Sequence, residues 1–243
     1  MTSRRVALVT GGARRIGAGI VRSFAARGYD VLLHHGNSPL EAAALADELR
    51  TEHGVRIEIV QADLSDVLQP ARVVDAAMHR FGRLDVVVSS ASVMQVRPFD
   101  AITPDDWAYT SDVNLRAPFF LMQAAARVMH DGGVIVQLSD HLAFETIFPQ
   151  LIPHQVTKSA LTQLVRTTAA ALAPRLRVNA VAPGLVLAPE DLSDDAITGF
   201  LRDVPLARVG TPADVTQAIH FLVEAEYITG VVLAVDGGRH LRR

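Results

Sequence analysis

Short aliphatic and β-branched runs alternate with longer helix-spaced stretches along this 243-residue chain, and that alternation constrains its fold more than any other feature. The predicted strands are Val6–Thr10, Asp30–His34, Arg56–Val60, Leu84–Ser89, Gly133–Leu138, Arg177–Val181 and Val231–Val235. They are rich in valine, isoleucine and leucine on both faces. Such strands are buried on both faces, as in a parallel sheet covered by helices on each side. Helical spacing is found near 16–27, 39–53, 67–81, 104–130, 155–173 and 212–225. Three of these stretches open alike, with Ser38-Pro-Leu-Glu41, Thr103-Pro-Asp-Asp106 and Thr211-Pro-Ala-Asp214. Each pattern predicts a capping box: a hydroxyl at the N-cap, proline at N1 and a carboxylate at N3. Repeats and linker-like composition are absent. One doubly wound α/β domain of about seven parallel strands, with helices on both faces, is therefore expected over 1–243. The acidic stretch of roughly 184–205 has no clear strand and reads as a lid over a site.

Bulk properties narrow the partners. A net charge of −3 and a pI near 6.3 give no electrostatic reason to expect nucleic acid or an anionic membrane surface. There is no cysteine, which excludes disulfides and thiolate zinc sites and fits a reducing, cytoplasmic setting. The basic start at Met1 leads into an apolar run that ends at Gly11-Gly12, too short for a signal segment. No apolar stretch approaches the ~20 residues of a membrane span. His34-His35 and His141 lack the spacing of a metal site, so no metal is expected. Of the 23 basic residues, 22 are arginine and one is lysine, Lys158.

The first strand runs into Thr10-Gly-Gly-Ala-Arg-Arg-Ile-Gly17-Ala-Gly19 and then a helix. A glycine-rich turn at that junction lets backbone amides and a helix N-terminus approach a pyrophosphate, placing Gly11, Arg14, Arg15, Ile16 and Gly17 at a dinucleotide. An NAD site usually has a carboxylate at the end of the second strand to hold the ribose 2′-hydroxyl. Here that end reads His34-His-Gly-Asn-Ser38. With Arg14 and Arg15 nearby, His35, Asn37 and the Ser38 hydroxyl suit a 2′-phosphate, so NADP(H) is favoured. Ser38 also serves its predicted capping box with Glu41; the two roles are compatible.

With these residues in view, the chain resembles the short-chain dehydrogenase/reductase family over nearly its whole length. The glycine turn is similar to the family's, with Arg15 where the middle glycine usually stands. Further matches follow in order: Ala62-Asp63-Leu64, Ser89-Ser90-Ala91-Ser92, Asp112-Val-Asn114-Leu, Val136-Gln-Leu-Ser-Asp140, Lys158-Ser-Ala-Leu161, Arg177-Val-Asn-Ala-Val-Ala-Pro183-Gly184 and Val235-Asp-Gly-Gly238. The resemblance implies a Rossmann-type fold. It places Asp63 and Leu64 at the adenine, Ser90, Ala91 and Ser92 along the cofactor, and Pro183 and Gly184 at the nicotinamide. Within the family, Arg15 and Asp140 resemble the pteridine reductase branch, which uses NADPH to reduce C=N bonds of dihydropterin rings. That likeness places Arg15, Met94, Asp140 and Leu185 near a substrate. It also implies pairing between subunits through helices 104–130 and 155–173, in a homodimer or homotetramer.

One position departs from the pattern. The family's proton donor is a tyrosine four residues before the lysine, one helical turn away. Here that residue is His154, fourteen positions after Asp140. A neighbouring cation favours the neutral form of an imidazole, so His154 is expected as a neutral ring that donates one hydrogen bond. Asp140, if desolvated enough to stay protonated, is the other candidate acid. Asn114 and Lys158 complete the expected catalytic set, and the compact ammonium of Lys158 suits two ribose hydroxyls. Two functions follow. One is an NADPH-dependent reductase of a small C=N or C=O substrate; the alternative is an NADP(H)-binding sensor or assembly subunit without turnover.

Overall fold

The computed structural model describes residues 4–145, 148–188 and 193–241. Each predicted run forms a strand, within two residues at either end: β1 (Val6–Thr10), β2 (Asp30–His35), β3 (Ile57–Gln61), β4 (Val86–Ser89), β5 (Gly133–Leu138), β6 (Leu176–Pro183) and β7 (Val232–Val235). They pair in parallel in the order β3-β2-β1-β4-β5-β6-β7. Strands β1, β2, β4 and β5 are buried at every position, as their unbroken apolar runs require, while the edge strands β3 and β7 stay partly open.

Helices cover both faces. On one face α1 (Arg15–Ala26), α2 (Pro39–His53) and α8 (Pro212–Glu224) pack Phe24, Leu45 and Ile219 against Val9, Leu33 and Val136. On the other, α3 (Gln69–Phe81), α5 (Ala117–Val128) and α6 (Ile152–Leu172) bring Val74, Leu121 and Val165 onto Leu8, Leu32 and Val178. Each such side chain removed from water contributes about 1.5–3 kcal/mol. After β1 the chain turns to one side for β2 and β3, then crosses back to place β4 on the other. That reversal opens a crevice beyond the carboxyl ends of β1 and β4.

Three local expectations are revised. The helix expected over 104–130 is α4 (Pro104–Ser111), a π-helical turn (Asp112–Arg116) and α5. Pro118 has no N–H for the Asn114 carbonyl four residues back, and Ala117 instead bonds the Asp112 carbonyl five back. The capping boxes of Thr103 with Asp106 and Thr211 with Asp214 form, but that of Ser38 with Glu41 does not. At Ser38 ψ is 58°, against 161° and 160° at the two threonines, and its hydroxyl makes no cap hydrogen bond. The expected lid contains a helix, α7 (Asp194–Leu201), begun by the Ser193 hydroxyl on the Ala196 amide. Residues 189–192 of that segment lie outside the described residues.

Candidate active site

The crevice is a cleft of about 440 Å³ that runs from the glycine turn to Asp140 and Lys158. At its first end, Gly11 has φ +62° and its α-carbon lies so close to Ala91 that a Cβ would come within 2.9 Å of the Ala91 Cα. At Gly17 a Cβ would sit 1.9 Å from the Gly11 carbonyl oxygen. Both positions exclude any side chain. Arg15 takes φ +51°, a left-handed conformation that side chains rarely adopt. Arg14 is the N-cap of α1; no side chain caps this helix and its first turn holds no acid. The orphan amides there are ready for an anion.

Side chains lock the turn in place. The Thr10 hydroxyl accepts from the Ser90 and Ala91 amides at 3.0 and 3.1 Å, tying β1 to the segment after β4. His34, given no role by the sequence reading, accepts the Gly11 amide on Nδ1 at 3.1 Å and donates from Nε2 to the Ala62 carbonyl at 3.0 Å. Burial pulls its pKa down to about 4, so the ring is neutral in this tautomer. Ile16, Asn37, Asp63, Leu64 and Ser92 line the cleft as expected. Asp63 accepts from the Ser65 amide and hydroxyl. His35 and Ser38 do not line it: the His35 ring is buried and accepts the Ser38 amide at 3.4 Å. Arg14 lies 3.9 Å from Glu41, the acid that fails to close its capping box.

The other end is built from ionisable groups. Lys158 is 3% exposed and donates to the Leu138 carbonyl at 2.7 Å. Burial lowers its pKa to about 8, with the charge of Asp140 acting against the shift. The Asp140 side chain keeps 24% of its surface and lines the cleft, whereas His154 is 4% exposed and stands behind the wall. His154 Nε2 lies 3.2 Å from Asp140 Oδ2, and Nδ1 lies 3.0 Å from the Val93 carbonyl oxygen. A proton on Nε2 makes the first contact attractive. The lone neutral donor facing a substrate, expected from the sequence, is thus corrected to a ring paired with a carboxylate.

The expectation of a protonated Asp140 is corrected too. Burial acts to raise its pKa, but hydrogen bonds and charge from His141 and His154 outweigh this and hold the carboxyl well below the usual range. Asn114 sits in the π-helical turn, and its amide bonds mainly loop backbone, with Nδ2 also 3.4 Å from His154 Nδ1 and from Thr157 Oγ1. It accepts the Val93 amide and donates to the Val93 carbonyl, both at 2.8 Å, and receives the Ser92 hydroxyl at 3.1 Å. Asn114 therefore shapes the wall and is not itself a lining residue. Pro183 and Gly184 line the cleft beside Asp140. Two expected substrate residues fall elsewhere: Met94 is 54% exposed outside the lining, and Leu185 borders a neighbouring cavity under α7. Arg15 lines the cleft and its guanidinium donates to the Leu187 carbonyl across it. Tyr109 and Val113, not foreseen, complete the wall near Ser92.

Among the described residues no cluster of three potential metal ligands occurs, and no helix is long and apolar enough to cross a membrane.

Known proteins resemble this chain along nearly its whole length. A family model described as enoyl-(acyl carrier protein) reductase matches residues 11–240. The 3-oxoacyl-[acyl-carrier-protein] reductase of Staphylococcus aureus is 31% identical over 248 residues, covering 99% of this chain and 100% of that protein. A short-chain dehydrogenase/reductase from Serratia marcescens superposes with a TM-score of 0.92 at 32% identity, covering 99% of this chain and 100% of its own. A short-chain dehydrogenase from Burkholderia cenocepacia, solved in complex with NADP, gives 0.92 at 33% identity over 98% of each chain. The chain belongs to the short-chain dehydrogenase/reductase family.

Proposed function

We propose that this protein is an NADP(H)-dependent oxidoreductase that reduces a small ring containing a C=N bond, pterin-like or a cyclic imine, or else a small C=O compound. The dinucleotide fits the residues present. The glycine turn and the uncapped start of α1 offer backbone amides to the pyrophosphate. The end of β2 carries no carboxylate, and Arg14 and Asn37, which line the cleft there, are the groups to hold a 2′-phosphate. The NADP in the Burkholderia neighbour supports the same choice. Lys158 would hold the ribose.

When bound, NADPH supplies the hydride. The protein's own contribution is the proton, and the observation that carries the proposal is Asp140: an ionised carboxylate on the cleft wall beside Lys158, with His154 behind it. An anion at that spot accepts hydrogen bonds from N–H groups flanking a C=N bond and stabilises the positive charge of a protonated imine. With N–H on both ring nitrogens, facing the Val93 carbonyl and Asp140, His154 would pass its Nε2 proton through the Asp140 carboxyl to the substrate nitrogen and be left a neutral ring, reprotonated from water before the next turnover. A carbonyl oxygen is less basic and gains less from the arrangement. A binder without turnover is not favoured, since Asp140 and Lys158 share one cleft with the anion cradle. Exposed Trp107 and Phe119, on α4 and α5, and Val156 on α6 support pairing of these helices with a second copy.

The test is NADPH oxidation with dihydrobiopterin, a cyclic imine and a small ketone, using the wild type and Asp140→Asn. Turnover of a C=N substrate that collapses in the variant is expected. No oxidation across the panel would sink the proposal.

A further inference from the structure

Behind Asp140, away from the cleft, a second set of charges is buried. The His141 ring is 7% exposed; its Nδ1 lies 2.9 Å from Asp140 Oδ1 and 3.2 Å from the Pro183 carbonyl. Its Nε2 has no hydrogen-bond partner among the described residues and faces Glu145 Oε1 at 3.7 Å, beyond hydrogen-bond reach but close enough for attraction between charges. Glu145 is in turn gripped by Arg239, whose Nε lies 3.2 Å from the same oxygen. The Arg239 side chain is 2% exposed and also donates to the Phe200 carbonyl at 3.0 Å and to Asp203 at 3.4 Å. Its guanidinium lies 4.1 Å over the Phe200 ring, and that ring meets His141 edge-on at 5.8 Å. Three segments distant in sequence thus converge behind one cleft carboxylate: the loop after β5, helix α7 and the C-terminal turn Arg239–Leu241. Burying such charges carries a desolvation cost, and apolar packing would hold these segments together as well.

We propose that His141 is a positioning residue: clamped between the carboxylates of Asp140 and Glu145, with Arg239 anchoring Glu145, it sets the direction in which Asp140 faces the cleft. The inference rests on the reading of Asp140 as the group that handles the proton. Without His141, Oδ1 would keep only the Leu142 amide as donor, and the carboxylate would be held less firmly about its Cβ–Cγ bond. With His141 and the Leu142 amide (2.9 Å) on Oδ1 and His154 on Oδ2, its plane is fixed.

The charges around His141 favour its protonated form. Burial acts to lower its pKa, but Asp140 and Glu145 outweigh burial and raise it above the ordinary value. The other ionisable groups facing this spot are Lys158 and His154 of α6, Arg239, Asp203 and, past the Phe144 ring, the His240–Asp236 pair.

Three variants test the clamp. His141→Asn keeps a donor near the Nδ1 position and loses the charge, His141→Phe loses both, and Glu145→Gln leaves His141 in place. The readouts are kcat and KM across pH, and a carbon-13 carboxyl NMR titration of Asp140 assigned with Asp140→Asn. In His141→Phe we expect kcat to fall about ten- to a hundredfold with KM for NADPH little changed. His141→Asn should recover part of that loss. Asp140, ionised in the wild type to low pH, should titrate at least roughly one pH unit higher in His141→Phe, and by less in the other two. Wild-type titration of Asp140 and wild-type kcat in the folded His141 variants would overturn the proposal. A moved titration with unchanged kcat, or with no turnover in any form, would uphold the clamp and reject the reading of Asp140 as the proton-handling group. If His141→Phe does not fold, the Asp140 titration in Glu145→Gln decides.

Discussion

The two ends of the cleft are made of different material. At the β1–α1 end the working parts are backbone: Gly11 and Gly17 leave no room for a Cβ, and the first amides of α1 are left uncapped. At the β5–α6 end they are side chains: Asp140, His154, His141 and Lys158, each with a proton affinity or contact set by the others. A backbone site needs little from its neighbours beyond room. A site of coupled charges takes its properties from its neighbours, so one exchanged residue changes what the others do. Here Asp140, lying between the imidazoles of His141 and His154, is held ionised.

Substitution at each end should therefore fail differently. Asp140→Asn keeps the shape and removes the anion. It should lower kcat by about 10²–10⁴, the range of a lost acid–base group, and leave NADPH affinity within a few-fold, as read by cofactor fluorescence. Gly17→Ala should do the reverse. Its Cβ would need space held by the Gly11 carbonyl, so the turn must open. NADPH affinity should fall by about a hundredfold, with stability lower by about 1–3 kcal/mol in urea unfolding. Equal loss of affinity in both variants would erase the distinction.

The same contrast explains how much was legible in advance. The strands and their layers follow from unbroken apolar runs such as Val86–Ser89, which only a doubly covered parallel sheet can bury. The glycine turn is legible because no other residue type fits it. Pro118 was a readable sign of the π-helical turn, since a missing N–H is a property of sequence. The partners of His34 were not readable. Two adjacent histidines on a buried strand point to opposite faces, and only the fold shows which one meets Gly11 and Ala62. The protonation state of Asp140 was not readable, for a similar reason. Burial alone would keep it neutral, and its partner His141 reaches it through a loop whose path the sequence does not reveal.

His34 gives the contrast a pH test. Its folded-state pKa of about 4 lies below the unfolded value near 6.5, so the unfolded chain takes up a proton first as pH falls. The stability from the neutral ring is therefore complete above about pH 6.5 and is lost as pH drops toward 4, by about 3 kcal/mol in all. His34→Asn should be less stable at pH 7.5 but lose less between pH 7.5 and 4.5 than the wild type. His220, also held near 4 by burial, remains in both proteins and cancels in the difference. Identical acid slopes would mean that His34 is not the group that titrates.

The smallest effect belongs to Arg15, the one residue with a foot in each half. Its φ of +51° is a backbone demand, and its guanidinium bond to the Leu187 carbonyl is a side-chain tie to the segment that leads into α7. The two roles separate in a pair of substitutions. Arg15→Ala keeps the left-handed strain and cuts the tie; Arg15→Gly relieves the strain and cuts the same tie. Substrate KM should rise by the same few-fold in both, because the tie is lost equally. Stability should differ, with glycine gaining about 1 kcal/mol from relieved strain, offset in part by about 0.5–1 kcal/mol of extra chain entropy in the unfolded state. A net difference of a few tenths of a kcal/mol in favour of glycine is expected from paired urea melts. If alanine is the more stable, Arg15 is held in its left-handed conformation without strain, and the tie to Leu187 is its whole contribution.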